Sequence, residues 1–176
     1  TVLSRGLGDV YKRQIWKETG KKLDFFMSDI GEYSTINDFI ENEIKSIPGN
    51  TRARKKGGRL ISVETISLND VVKKYFNDSC PSYMSIDTEG SEYDILKAFD
   101  LNKYRPKLFT IEHNFTENER KIDEHLIING YVRIFRKLTT FDAWYIPFEN
   151  LWLDKLNNLQ SLIQQSRVEY EKLESK

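Results

Sequence analysis

From residue 60 onward the chain alternates β-branched or apolar runs with stretches of helical period, and this alternation constrains the fold more than any other feature. Leu60-Ile61-Ser62-Val63-Glu64-Thr65-Ile66 reads as a strand. Ser67, with Asp70 three residues later, is a capping-box-like helix start, and Leu68, Val71, Val72 and Tyr75 form one apolar stripe behind it. Tyr83-Met84-Ser85-Ile86-Asp87 is the next strand, turned by Gly90. Ser91 and Asp94 again have N-cap spacing, ahead of Ile95, Leu96 and Phe99. Pro106 leads into the strand at 108–112. Thr116 and Glu119 then cap a helix that carries Ile122 and Leu126 and stops at Asn129-Gly130. Two strand-like runs, 131–138 and 141–146, follow, joined by a polar turn at Thr139-Thr140. The order β-α-β-α-β-α-β-β predicts an α/β fold: the later part of a Rossmann-like parallel sheet, closed by an antiparallel hairpin.

Upstream, residues 22–28 have a half-alternating strand pattern, and Ile36, Phe39, Ile40, Ile44 and Ile47 give 36–47 a helical spacing that ends at Pro48-Gly49-Asn50. A basic loop follows, with Arg52, Arg54, Lys55, Lys56 and Arg59 around Gly57-Gly58. It reads either as a solvated connection or as a clamp for a phosphate or carboxylate, which makes Arg54 and Lys55 candidate substrate-binding residues. At the other end Trp152, Leu156, Leu159, Ile163, Ser166, Tyr170 and Leu173 repeat at four- and three-residue steps. That spacing predicts an amphipathic helix over 149–176, docked on the domain or pairing weakly with a second copy.

Bulk properties exclude several partner classes. The 27 Lys and Arg balance the 27 Asp and Glu, so net charge gives no argument for nucleic acid or an anionic membrane. No apolar run approaches the roughly 20 residues of a membrane span. The single cysteine, Cys80, forbids an intrachain disulfide and favours a reducing, cytoplasmic setting, and with two histidines a Cys/His zinc site is not expected. Residues 4–14, Ser4-Arg5-Gly6-Leu7-Gly8-Asp9-Val10-Tyr11-Lys12-Arg13-Gln14, resemble a translated sequencing-library adapter. Residues 1–14 are therefore expected to be disordered and are set apart from the domain expected at 15–148.

Ligands of open α/β sheets bind beyond the carboxyl ends of the parallel strands. Two such ends here are unusually polar: Asp87-Thr88-Glu89-Gly90-Ser91-Glu92 and Glu112-His113-Asn114. If the strands are neighbours, Asp87, Glu89, His113 and Asn114 surround one crevice. A carboxylate and an imidazole there can deprotonate a hydroxyl, with Asp87, His113 and Glu89 as catalytic candidates and Glu112 and Asn114 as substrate-binding ones. The same oxygens can instead hold a divalent metal against an acceptor, although no metal is assigned. Glu92 and Asp94 are expected in the first helical turn, where acidic groups favour the dipole. His125 is expected to be an ordinary helix residue.

Ser85-Ile86-Asp87-Thr88-Glu89-Gly90-Ser91-Glu92-Tyr93-Asp94-Ile95-Leu96, preceded by Ile66-Ser67-Leu68-Asn69-Asp70-Val71, resembles the signature of FkbM-family methyltransferases. Glu112-His113-Asn114, Gly130-Tyr131, Asp142-Ala143-Trp144-Tyr145 and Gly31-Glu32-Tyr33-Ser34-Thr35-Ile36 are similar to further segments of that family, over about residues 15–147. The resemblance implies methyl transfer from S-adenosylmethionine to a hydroxyl of a sugar, glycolipid or secondary metabolite, and a small-molecule or glycan acceptor as partner. It also implies a first strand with a Gly-rich turn and an acidic residue ending the second strand. Neither has a counterpart here, so the chain is expected to hold part of the acceptor side and little of the cofactor side, as a truncated and inactive piece. Two other classes stay open: another Rossmann-type transferase or dehydrogenase, and a non-catalytic α/β interaction module. Calorimetry on residues 15–176 should show no S-adenosylmethionine binding, and robust micromolar heat would overturn the expectation of a missing cofactor half.

Overall fold

The computed structural model describes residues 13–29, 34–40, 57–150, 158 and 161–165. In chain order the elements are β1 (Arg13–Trp16), β2 (Lys22–Ser28), β3 (Thr35–Ile36), a 3-10 turn (Asn37–Phe39), β4 (Gly58–Ser67), α1 (Leu68–Tyr75), β5 (Tyr83–Ile86) and α2 (Glu92–Ala98). They continue with β6 (Leu108–Glu112), α3 (Glu117–Ile128), β7 (Tyr131–Ile134), β8 (Asp142–Pro147) and a 3-10 turn (Phe148–Asn150).

The strands form two four-stranded sheets rather than the single sheet expected, ordered β1-β4-β2-β3 and β5-β6-β8-β7. The difference lies in β4. Its pairing with β2 is antiparallel from Lys22↔Glu64 to Ser28↔Gly58, and its parallel pairing with β1 runs from Arg13↔Glu64 to Trp16↔Ser67. Both flanks of β4 are therefore taken, and β5 opens the second sheet instead. Hydropathy shows that a strand is buried but not which neighbour it selects, so alternation alone merges the two sheets. β1 also takes in Arg13 and Gln14, two residues inside the stretch set apart on sequence.

Helix starts follow the sequence closely. Ser67 caps α1 by accepting the Asp70 N–H, and Thr116 caps α3 by accepting the Asn118 N–H. At α2 the cap differs: Ser91 makes no side-chain cap bond and its hydroxyl donates to Thr88 Oγ1 at 2.8 Å. The strand expected over 131–138 stops at Ile134, because Phe135 adopts φ +54° and its carbonyl accepts the Leu138 and Thr139 N–H groups, closing a turn. The helix expected over 36–47 is described only as far as residue 40. The basic loop at 51–56, with Arg54 and Lys55, lies outside the described residues, as do most seam positions of the terminal helix. Asn158 and residues 161–165 are helical.

One apolar cluster spans both sheets. In the second sheet, Phe109, Ile111, Ala143 and Tyr145 from the strands meet Ile122 and Leu126 of α3, all fully buried. Rings continue this packing: Phe109 lies 5.3 Å from Tyr131, and Phe99 stacks on Tyr104 at 5.6 Å. The Tyr131 hydroxyl satisfies itself on the Pro106 carbonyl at 3.0 Å. Arg105 then covers the Tyr131 ring, donates to the Asn129 and Gly130 carbonyls at the end of α3, and forks onto Glu149. No helix among the described residues is long and apolar enough to cross a membrane.

Leu126 projects from α3 into this core with no exposed surface. Leu126→Ala should lower unfolding free energy by about 2–5 kcal/mol in denaturant titrations, through lost transfer energy and the cavity left behind. A loss under about 1 kcal/mol would mean that α3 is not seated on the sheet as described.

Candidate functional site

β5 and β6 run parallel and pair from Tyr83↔Leu108 to Ile86↔Ile111, so both polar strand ends emerge on the same side. After Ile86 the chain turns through Asp87, Thr88, Glu89 and Gly90 into α2. Glu89 sits at φ +57° and Gly90 at φ +113°. A left-handed Glu is uncommon and persists only where its surroundings fix it.

Here the fixing group is Glu92. Only 2% exposed, it aims its carboxylate back over the turn. Its Oε1 accepts from the Thr88 N–H at 2.8 Å, the Thr88 hydroxyl at 3.0 Å and the Gly90 N–H at 3.1 Å, and its Oε2 accepts from the same Gly90 N–H at 3.1 Å. Burial pushes the Glu92 pKa up, and the backbone N–H groups pull it back. Glu92 stands in the first turn of α2, as the sequence suggested, and is in addition the clamp of the loop. The turn is held from outside as well. The Thr35 hydroxyl of β3 donates to the Glu89 carbonyl at 2.7 Å, and Asn118 of α3 donates to the Gly90 carbonyl at 3.1 Å.

The result is a carboxylate cluster. Oxygens of Asp87, Glu89 and Glu112 all lie within 4.8 Å of one another, a spacing at which three carboxylates can share protons or one divalent cation. Asp87 is the exposed member and Glu89 the buried one. Glu112 Oε2 is buried with no hydrogen-bond partner among the described residues. Burial pushes the Glu112 pKa up to about 9, the charges of Glu89, Asp87 and Glu92 add to the rise, and an Asn114 hydrogen bond opposes it. Glu112 is therefore neutral at pH 7 and can donate a hydrogen bond.

A fourth carboxylate, Asp142, joins from β8. It is the register partner of Glu112, and its pKa is raised by partial burial and by the Asp87 charge. Sequence reasoning missed Asp142 as a site residue, because only the antiparallel register of β8 on β6 brings it there. A cavity of about 450 Å3 opens beside the cluster, walled by Gly90, Glu92, Glu112, His113 and Asn114, with Phe39 reaching in from the first sheet.

His113 reaches the same strand end, yet its ring is 3% exposed and engaged. Nδ1 accepts the Phe115 N–H at 3.1 Å, and Nε2 faces Arg133 Nη2 at 3.2 Å. Burial holds its pKa down, Arg133 adds to this, and Glu119 opposes it, so the ring is neutral at pH 7. Arg133 is itself anchored on Glu119 at 2.7 Å and Asp123 at 3.3 Å, while the Tyr145 hydroxyl donates to Asp123 at 2.6 Å. The structure thus brings Asp87, Glu89 and Glu112 together as a cluster, while Glu112, His113 and Asn114 share the wall of the adjoining cavity. His125 lies in α3 with its ring edge-on to Tyr93, away from the cluster.

Comparison with known proteins identifies the family of the chain. The model of the Methyltransferase FkbM domain matches residues 8–145, beginning inside the adapter-like stretch and ending in β8. No curated protein and no solved structure matches the chain. The match covers both polar strand ends and most of the 176 residues, and the chain belongs to the FkbM methyltransferase family.

Proposed function

We propose that this chain carries the acceptor side of an S-adenosylmethionine-dependent O-methyltransferase whose acceptor is a hydroxyl of a sugar, glycolipid or secondary metabolite. The observation that carries this reading is the convergence of Asp87, Glu89 and Glu112 within 4.8 Å at the carboxyl ends of two parallel strands, in a chain of this family. Bound S-adenosylmethionine supplies an electrophilic methyl group. The described residues do not build its cradle: of the strand-to-α-helix turns among them, only the one from β5 to α2 contains a glycine, Gly90, and no Gly-rich turn is present. The chemistry assigned to these residues is accordingly confined to the acceptor.

Asp87, exposed at the mouth of the cluster, is placed to take the proton of an acceptor hydroxyl. Neutral Glu112 donates to an acceptor oxygen while Glu89, fixed by the turn, accepts from a neighbouring hydroxyl. His113, with both nitrogens faced by N–H groups, orients the strand end that carries Glu112 and Asn114.

The test is a radiolabelled methyl-transfer assay, on the longest reading frame that contains these residues, against a panel of glycosides and hydroxylated metabolites. Asp87→Asn should lower turnover roughly 10²- to 10⁴-fold with little change in melting temperature. Full turnover in that variant would remove Asp87 from the mechanism. Glu112 should titrate near pH 9 by side-chain carbonyl NMR, and an ordinary carboxylate midpoint would disprove the neutral-donor role.

Because its folded pKa is raised above the model value of 4.5, the proton on Glu112 stabilises the fold fully below that value, and the contribution is lost as pH climbs toward about 9. Glu112→Gln keeps the neutral form throughout. Its stability relative to the parent should therefore increase between about pH 5 and pH 8, read from denaturation midpoints. A flat difference across that window would contradict the assignment.

A further inference from the structure

The peptide group that joins Glu89 to Gly90 lies between two residues of positive φ, +57° and +113°. Its two ends are held by different parts of the molecule. The Gly90 N–H donates to both carboxylate oxygens of Glu92 at 3.1 Å, so α2 holds that end. The Glu89 carbonyl at the other end accepts the Thr35 hydroxyl at 2.7 Å, and Thr35 belongs to β3 of the first sheet. Gly90 itself does not fix the plane. A glycine tolerates positive and negative φ about equally, so it would also accept this peptide turned over.

Thr35 is well placed to supply that constraint. Its side chain is fully buried, and a buried hydroxyl must find an acceptor. The first sheet sets where the hydroxyl points. β3 pairs with β2 through Phe26↔Thr35 and Phe25↔Ile36, and the Ser34 hydroxyl just before it accepts the Ser28 N–H at 3.1 Å. The branched Thr35 side chain adds its own stiffness about χ1. Four residues further on, Phe39 rests edge-on against Trp16 at 5.8 Å and walls the cavity. The same short segment therefore brings a donor to the turn and a ring to the cavity.

We propose that Thr35 is a positioning residue: its hydroxyl fixes the orientation of the Glu89–Gly90 peptide from the first sheet and so keeps the Glu89 carboxylate beside Asp87 and Glu112. Glu92 holds only the N–H end of that peptide. Without the Thr35 hydroxyl the Glu89 carbonyl becomes a buried acceptor that has lost its donor, and the peptide gains by turning toward another one. Glu89 then leaves a left-handed backbone that is unfavourable for it, and its side chain swings away from the like charges around it. The first sheet thereby takes part in building the site, although none of the three clustered carboxylates belongs to it. The consequence for an acceptor rests on the reading above; the geometry of the turn does not.

NMR on the full chain, with no methyl donor or acceptor present, reads the turn directly, so the result stands apart from whether methyl transfer is observed. In Thr35→Val, which keeps the shape and removes the donor, the Glu89 Cα and Cβ shifts should leave their positive-φ values. The Gly90 amide should exchange with solvent roughly tenfold faster, the scale of one lost hydrogen bond. Thr35→Ser keeps a hydroxyl and should keep both signals. Val63→Ala, a core truncation elsewhere in the first sheet, should lower the melting temperature and leave both signals in place. Should Thr35→Val fail to fold, the Thr35 hydroxyl proton of the parent chain decides, because a buried, bonded proton gives a slowly exchanging resonance. Parent-like Glu89 shifts in folded Thr35→Val, the same changes in Val63→Ala, their appearance in Thr35→Ser, or a fast-exchanging Thr35 hydroxyl would overturn the positioning role.

Discussion

The site depends on one buried carboxylate. Glu92 accepts the N–H groups of Thr88 and Gly90, and by doing so it holds Glu89 in a left-handed conformation that an isolated peptide would avoid. Without that clamp the turn after β5 would relax, and the three carboxyl groups would separate to reduce their repulsion. The arrangement therefore sets one acidic side chain, satisfied by amide donors, to keep others in unfavourable proximity. Burial is the main cause of the raised Glu112 pKa, and this enforced proximity adds to it.

A second layer stands behind the first. Arg133 joins Glu119 and Asp123 of α3 to His113 at the end of β6, and Tyr145 of β8 completes the network through Asp123. Three elements thus converge on the imidazole. Partners of this kind fix ring orientation while the residues in front of it meet the ligand. Thr35 and Asn118 play a comparable part for the turn after β5, and Thr35 does so from the other sheet. The cavity is in consequence shaped by the packing of both sheets, with Phe39 from one and Glu112 from the other on its walls.

Local signals in the sequence were legible because their causes are local. Ser67 and Thr116 cap helices in the structure because an oxygen two or three residues ahead of a free N–H needs no tertiary context. The strands at 22–28, 83–86 and 108–112 follow from apolar and β-branched runs, and the meeting of Asp87 with Glu112 follows from their being neighbours. What stayed hidden were long-range choices. That β4 selects β1 and β2 as partners, and that Asp142 falls opposite Glu112, are matters of register, which hydropathy does not encode. Glu92 falls in the first helical turn as its position implies, but its clamping role was hidden for a related reason. A carboxylate at the start of a helix shows its place at the dipole, but not that the turn before it folds back onto its oxygens.

One feature of the second sheet bears on how exact this site can be. β5, whose end carries Asp87, is an edge strand of that sheet among the described residues and is held there by four residues paired to β6. Successive residues on a strand point to opposite faces, so a slip of one position along β6 would carry Asp87 to the far side and scatter the cluster. The chain guards against this with anchors on both ends: Ile86 buried in the core, and Tyr83 and Ser85 each sharing a hydrogen bond with the Thr110 hydroxyl across the strand pair. Catalytic precision here is a problem of alignment, and Thr110 acts as the pin that sets it.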